Sequence, residues 1–238
     1  MKKVVLMLLA GLAAPPAWAQ SHGAMLPFYG GQIGLSGDLH VEFVVRDGLI
    51  RAWVRDHADK PVAAVGKATV LVGAARHEVS FTEDGAGLKA ELPVKAADKV
   101  TAVLSLTAQG RPLSARFAQA ELVQPSLTGA ALAGKAVFER VCATCHGTAL
   151  RGSDQGPPLI HAWYAPGGGH DDSQVLKVLR EGTKGHMWKL GDMPKPEGLK
   201  AGEDKPALAY VRAMQAANGI DQSAPLPGMG GHSGHSGH

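Results

Sequence analysis

The chain has 238 residues, 45% of them hydrophobic and only 5% aromatic, with a formal net charge of +3. That length accommodates two small domains or one large one, and so small a charge gives no electrostatic footprint for a nucleic-acid partner. A chain this rich in small side chains needs tight packing or a prosthetic group to build a firm core.

Residues 1–19 read as a signal peptide. Lys2 and Lys3 supply the positive start, Val4 to Ala14 is a short apolar run, and Ala17-Trp18-Ala19 is an A-x-A cleavage site that leaves Gln20 as the first mature residue. No other stretch is apolar enough to span a bilayer, so a soluble, periplasmic protein without a membrane span is expected after cleavage. Residues 20–37, rich in Gly, read as a loose lead-in.

From Leu39 the texture changes. Leu39 to Val45 places apolar residues at alternate positions, the pattern of a half-buried strand, and Asp47-Gly48 is a two-residue hairpin signal. Leu49–Val54 is the return strand. Further strands are expected at Ala68–Val72, Arg76–Thr82, Leu88–Val94, Val100–Thr107 and Pro112–Phe117, punctuated by Gly73, Asp84-Gly85 and Gln109-Gly110. About seven short strands define an all-β, sandwich-like domain over residues 38–123.

Gln124-Pro125 to Gly129 breaks the pattern, so 124–131 reads as a linker. Helical periodicity comes next, in an all-α domain over 132–220. Gly134 to Val141 presents Val137, Phe138 and Val141 on one face. Ser173 to Glu181 has Ser173 as a candidate N-cap, and Lys205 to Ala217 has Pro206 near its start and Gly219 beyond its end. Residues 221–238 form a Gly/Ser/His tail expected to be disordered.

Both cysteines of the chain lie in Cys142-Ala143-Thr144-Cys145-His146. Two thiols that can add to the two vinyl groups of a haem, with an imidazole for its iron directly after them, are the set that covalent haem c requires from one turn of chain. The rivals fit less well. A zinc ribbon needs a second Cys pair, and a redox dithiol needs a βαβ setting.

The flanks sharpen the match. Gly134 and Phe138 stand at four-residue spacing ahead of Cys142, and with the later Tyr210 they resemble the crossing helices of class I cytochromes c. Gly156-Pro157-Pro158-Leu159 resembles that family's G-P-x-L loop. The resemblance covers about residues 132–220. It implies that Pro157 lends its carbonyl to the His146 ring, that Leu159 packs on the haem, and that Gly134 allows a close crossing with the C-terminal helix. Gly191-Asp192-Met193-Pro194 resembles the loop that supplies the distal thioether, which makes Met193 the expected second axial ligand beside His146. His186 is the main competitor, with Met187 and His170 nearby. Trp188 is expected to pack on the haem edge or to donate to a propionate. His161 reads as a surface or propionate-side histidine.

Residues 30–117, on Gly30-Gly31-Gln32 and Gly37 to Gly48, faintly resemble exported bacterial β-domains linked to copper and heavy-metal handling. Tyr29 stands where those relatives often carry His. His40 and Glu42 share one strand face. They read chiefly as exposed polar residues, with a metal pair as the sharper alternative. His232, His235 and His238 are spaced evenly on flexible chain that lets imidazoles converge on a metal. Two functions therefore compete. In the first, an exported monohaem cytochrome carries electrons between redox partner proteins through a closed His/Met haem, without being an enzyme itself unless it serves as the redox subunit of an oxidoreductase complex. In the second, a periplasmic protein binds or senses copper, with the haem as an accessory.

Overall fold

The computed structural model describes residues 26–166, 168 and 170–220. The expected signal peptide, and the tail with His232, His235 and His238, lie outside the described residues. Among the described residues the N-terminal part holds nine strands rather than about seven: β1 (Gln32–Ser36), β2 (Leu39–Arg46), β3 (Leu49–Arg55), β4 (Ala64–Val72), β5 (Ala75–Ser80), β6 (Thr82–Asp84), β7 (Gly87–Glu91), β8 (Val100–Ala108) and β9 (Arg111–Gln119). They form two antiparallel sheets, β1-β2-β3-β7-β6 and β5-β4-β8-β9.

The two additional strands have physical causes. β1 lies in the Gly-rich lead-in, where pairing with β2 in register Gln32↔Phe43 to Ser36↔Leu39 overrides weak local propensity. The expected strand Arg76–Thr82 is divided at Phe81, so that β5 pairs with β4 in one sheet and β6 with β7 in the other. Alternate residues of both sheets make one core, including Val41, Phe43, Ile50, Val70, Leu104 and Phe117. At its centre the Phe43 and Phe117 rings stack 4.8 Å apart.

The C-terminal part is helical, with long irregular segments. Its elements are α1 (Gly129–Val137), a π-helical turn over Phe138–Cys142, α2 (Ala143–His146), a 3₁₀ turn at Ala162–Tyr164, α3 (Asp172–Glu181) and α4 (Asp204–Ala217). α1 begins inside the expected linker. α3 is capped by Asp171 rather than Ser173: the Asp171 carboxylate accepts the Gln174 N–H, and the Gln174 side chain accepts the Asp171 N–H, closing a capping box. The crossing of α1 and α4 organises this half. At Gly134 a Cβ would stand 1.8 Å from the Pro206 carbonyl oxygen, so only glycine lets the helices approach this closely. One turn further on, the Phe138 and Tyr210 rings meet at 5.3 Å, both almost fully buried.

The two halves touch along a continuous seam. Asn218, just past α4, exchanges two hydrogen bonds with the main chain of Val123, accepting from its N–H at 2.8 Å and donating to its carbonyl at 3.0 Å. The Arg46 guanidinium donates to the Arg151 carbonyl at 2.9 Å, and Arg151 donates to the Ala120 carbonyl at 2.8 Å. Ala96 and Leu122 belong to the same apolar cluster as Phe138 and Tyr210. Among the described residues no helix is long and apolar enough to cross a membrane.

Gly134→Ala forces the two helices apart. It is expected to lower the stability of the helical half by about 3 kcal/mol, as over-packing a tight contact does. Denaturant unfolding followed by far-UV circular dichroism reads that loss against Ala133→Gly, which relieves no contact of this kind.

Candidate haem-attachment site

The C-x-x-C-H segment sits where α1 passes through the π-helical turn into α2. A π-turn inserts a residue into the helical ladder and re-aims the side chains beyond it. Here it ends on Cys142, and the short α2 then carries Cys145 and His146. Cys142 and Cys145 are both free thiols, each half-buried. Burial pushes the Cys142 thiol up to about 11, with Arg140 opposing. That is the reverse of the acidic thiol that a redox dithiol relies on.

His146 is buried, and its Nδ1 lies 2.9 Å from the Pro157 carbonyl. A carbonyl can only accept, so Nδ1 carries the proton and Nε2 is left as the bare lone pair. Burial also holds the ring below its ordinary pKa, so the neutral form prevails near pH 7. The loop that presents Pro157 is fixed from several sides. Ser153 Oγ donates to the Cys145 carbonyl at 2.6 Å, and the Leu159 N–H donates to the Leu150 carbonyl at 2.7 Å. At Gly156 a Cβ would press to 2.8 Å on the Cys145 carbonyl, which explains the glycine at the head of the G-P-P-L loop.

Sequence reasoning missed three residues that hold this loop in place. Gln215 of α4 is fully buried and donates to the Leu159 carbonyl at 2.7 Å. Arg212, one turn earlier, bonds the Tyr164 carbonyl, Gln215 and Asp172. Tyr164 accepts the Trp188 indole N–H at 2.7 Å. No local motif marks them, because their partners lie far away in the chain. The Trp188 indole is thereby tied to the 3₁₀ turn that carries Tyr164. The ring packs edge-on to His161 at 5.1 Å.

Met193 sits on a braced loop. Thr183 and Met193 exchange both main-chain hydrogen bonds, at 2.8 and 2.9 Å. Lys184 pairs with Asp192 at 2.7 Å, and Asp192 also accepts the Gly185 N–H. Met193 is half-buried, as is Met187, whereas His186 is exposed. His170 is half-buried and lies with its ring 5.5 Å from that of His186.

His40 and Glu42 do share a strand face, but that face is not open to solvent. His40 is 4% exposed and Glu42 0%, with residues 28–31 lying over Glu42 and His57 against His40. Both oxygens of Glu42 are occupied: they accept the N–H groups of Tyr29 at 2.7 Å, Phe28 at 2.8 Å and Gly31 at 3.0 Å, with the Arg55 guanidinium 3.5 Å away. A carboxylate so engaged is a structural anchor rather than a metal ligand. His40 meets His57 edge-on at 4.9 Å. Among the described residues no group of three or more His, Cys, Asp or Glu side chains is arranged to hold a metal ion.

Two free thiols and a tautomer-locked imidazole on one turn, with a G-P-P-L loop behind the imidazole, are the donor set that a covalently attached haem needs, and the residues present fit it. That defines a c-type haem domain. A family model described as Cytochrome c matches residues 131–215. No curated protein matches the chain. Residues 131–215 are a class I cytochrome c domain, the haem-binding, electron-transferring part of a longer chain that also carries two β-sheets.

A buried imidazole, His40, and a half-buried one, His161, make the fold acid-sensitive. Burial holds His40 below its ordinary 6.5, with His57 and Arg55 adding to the effect, and burial alone does the same for His161. The unfolded chain takes up protons near pH 6.5 that the folded chain refuses. This contribution to stability is therefore complete above that value and is lost as pH falls through the lower folded values. Thermal melts from about pH 7.5 down to about pH 5 should show a falling midpoint, and His40→Gln should flatten the fall.

Proposed function

We propose that the protein is an exported, periplasmic monohaem cytochrome that passes single electrons between redox partner proteins, with haem c attached at Cys142 and Cys145 and ligated by His146 and Met193. The observation behind this reading is the His146 ring. Its Nδ1–H is held by the Pro157 carbonyl, so Nε2 is the one nitrogen left to bind iron, and the same hydrogen bond raises its basicity. The bound haem supplies a one-electron iron couple.

The rest of the work falls to the chain. The α1–α4 crossing holds the attachment turn. The Pro157 loop orients the imidazole, and Leu159, half-buried and packed on the Phe138–Tyr210 cluster, helps keep water out. Met193 is favoured over His186 because Met193 is half-buried, held by both main-chain bonds to Thr183 and followed by the rigid Pro194, whereas His186 is exposed. A thioether in that place favours the reduced state, and a position closed on both faces suits outer-sphere transfer rather than bond making. The export reading rests on Lys2 to Ala19 and on the chemistry of the attachment motif.

A pyridine haemochrome assay on protein recovered from the periplasmic fraction should count one haem per chain, and N-terminal sequencing should begin at Gln20. Cys142→Ala should leave a single thioether and shift the haemochrome spectrum. Met193→Ala should abolish the near-infrared methionine–iron band of the ferric protein and lower its reduction potential, while His186→Ala should leave both unchanged. A wild-type spectrum without that band, unaffected by Met193→Ala, would overturn the ligand assignment.

A further inference from the structure

The segment Phe28–Gly31 lies between the two halves and is pinned along its length. Glu42 collects the N–H groups of Phe28, Tyr29 and Gly31. Arg46, also on β2, donates to the Tyr29 carbonyl at 3.1 Å. The Tyr29 ring stacks on Trp53 at 4.1 Å. Anchored on the sheet in this way, the segment reaches both haem-side loops. At Gly30, which has φ +75°, a Cβ would come 2.2 Å from Pro158 Cδ, so the strap's main chain rests directly on the residue after Pro157. At Phe28 the carbonyl accepts the Lys189 N–H at 2.8 Å. The Phe28 ring is clasped between the Lys189 ammonium, 3.6 Å from its centroid, and the Arg55 guanidinium, 3.7 Å from it.

We propose that Glu42 is a positioning residue for the haem: through the strap Phe28–Gly31 it braces at once the loop that orients His146 and the loop that leads to Met193. The inference rests on the His146/Met193 ligation proposed for this site. A short strap fixed at one end to a sheet and touching both ligand loops resists their separation. Glu42 supplies the fixed end because its two oxygens satisfy three N–H groups that have no partner in a sheet. Glu42→Gln keeps the shape but turns one acceptor oxygen into a donor facing those N–H groups, so the strap loses part of its anchorage. Phe28→Leu leaves Glu42 intact and removes the ring that Lys189 and Arg55 clasp.

The test uses the full-length holoprotein of the wild type and the two variants. Three readouts are followed: the intensity of the near-infrared methionine–iron band, the rate of cyanide binding to the ferric form, and amide hydrogen exchange over residues 156–160 and 183–193. Both variants should bind cyanide about tenfold faster, the low end of what losing an outer support of a metal ligand costs. Both should show a weakened band and faster exchange in both loops, while exchange in α1 and α4 stays at the wild-type rate. Wild-type behaviour of all three readouts in both variants overturns the proposal. If Glu42→Gln fails to fold, Phe28→Leu decides by the same readouts. If the wild type lacks the band, the Met193 assignment falls, and the strap is then judged by exchange alone: equal rates in wild type and variants reject it, and faster loops with an unchanged α1–α4 pair uphold it.

Discussion

A carboxylate withdrawn from water has to be met by donors, and Glu42 meets three main-chain N–H groups within one four-residue stretch. Removing one partner of a buried charge costs about 3–5 kcal/mol, against about 0.5 kcal/mol for a surface pair. The comparison ranks the contacts along the seam. Arg51 pairs with Asp154 at 2.7 Å across it, but Asp154 is largely exposed, so that ion pair adds little. The buried guanidinium of Arg46, donating to carbonyls of both the strap and the Arg151 loop, is the stronger tie. Because Glu42 draws the strap onto the outer face of the first sheet, that face becomes interior, and the helical half has a surface to rest on.

Within the helical half a steric constraint takes the corresponding place. The absent side chain at Gly134 brings α1 and α4 into contact, which sets Phe138 against Tyr210 and leaves α4 near enough for Gln215 to hold the Leu159 carbonyl. The attachment turn is thus supported from α4 on one side and from the Pro157 loop on the other.

The parts of this molecule that were legible in the sequence are those fixed by local chemistry or by a short motif. Cys142, Cys145 and His146 lie on one turn, Gly134 and Phe138 lie one helical turn apart, and the head of the G-P-P-L loop needs a glycine because a carbonyl presses on it. The pairing of Pro157 with His146 came with that motif. Illegible parts depend on the segments that fold against them from afar. Alternation placed His40 and Glu42 on the outer face of β2, but alternation cannot say whether an outer face is later covered, so two buried residues read as exposed ones. β1 reads as loose glycine-rich chain until β2 offers it a partner. The break at Phe81 is invisible because both sides keep strand character, and only the choice of neighbouring strand changes. The Trp188–Tyr164 bond is hidden in the same way, because Tyr164 lies in a 3₁₀ turn that no periodicity announces.

The reciprocal bonds between Asn218 and Val123 carry a different kind of consequence. They place the entrance and the exit of the helical unit side by side. A unit whose two ends meet can be cut out of one chain and spliced into another without stretching either, since the host sees only a small gap to bridge. The clasp closes residues 123–218 into a loop whose two ends meet at one edge of the sheet body, so the chain outside it is displaced little by everything that folds between them.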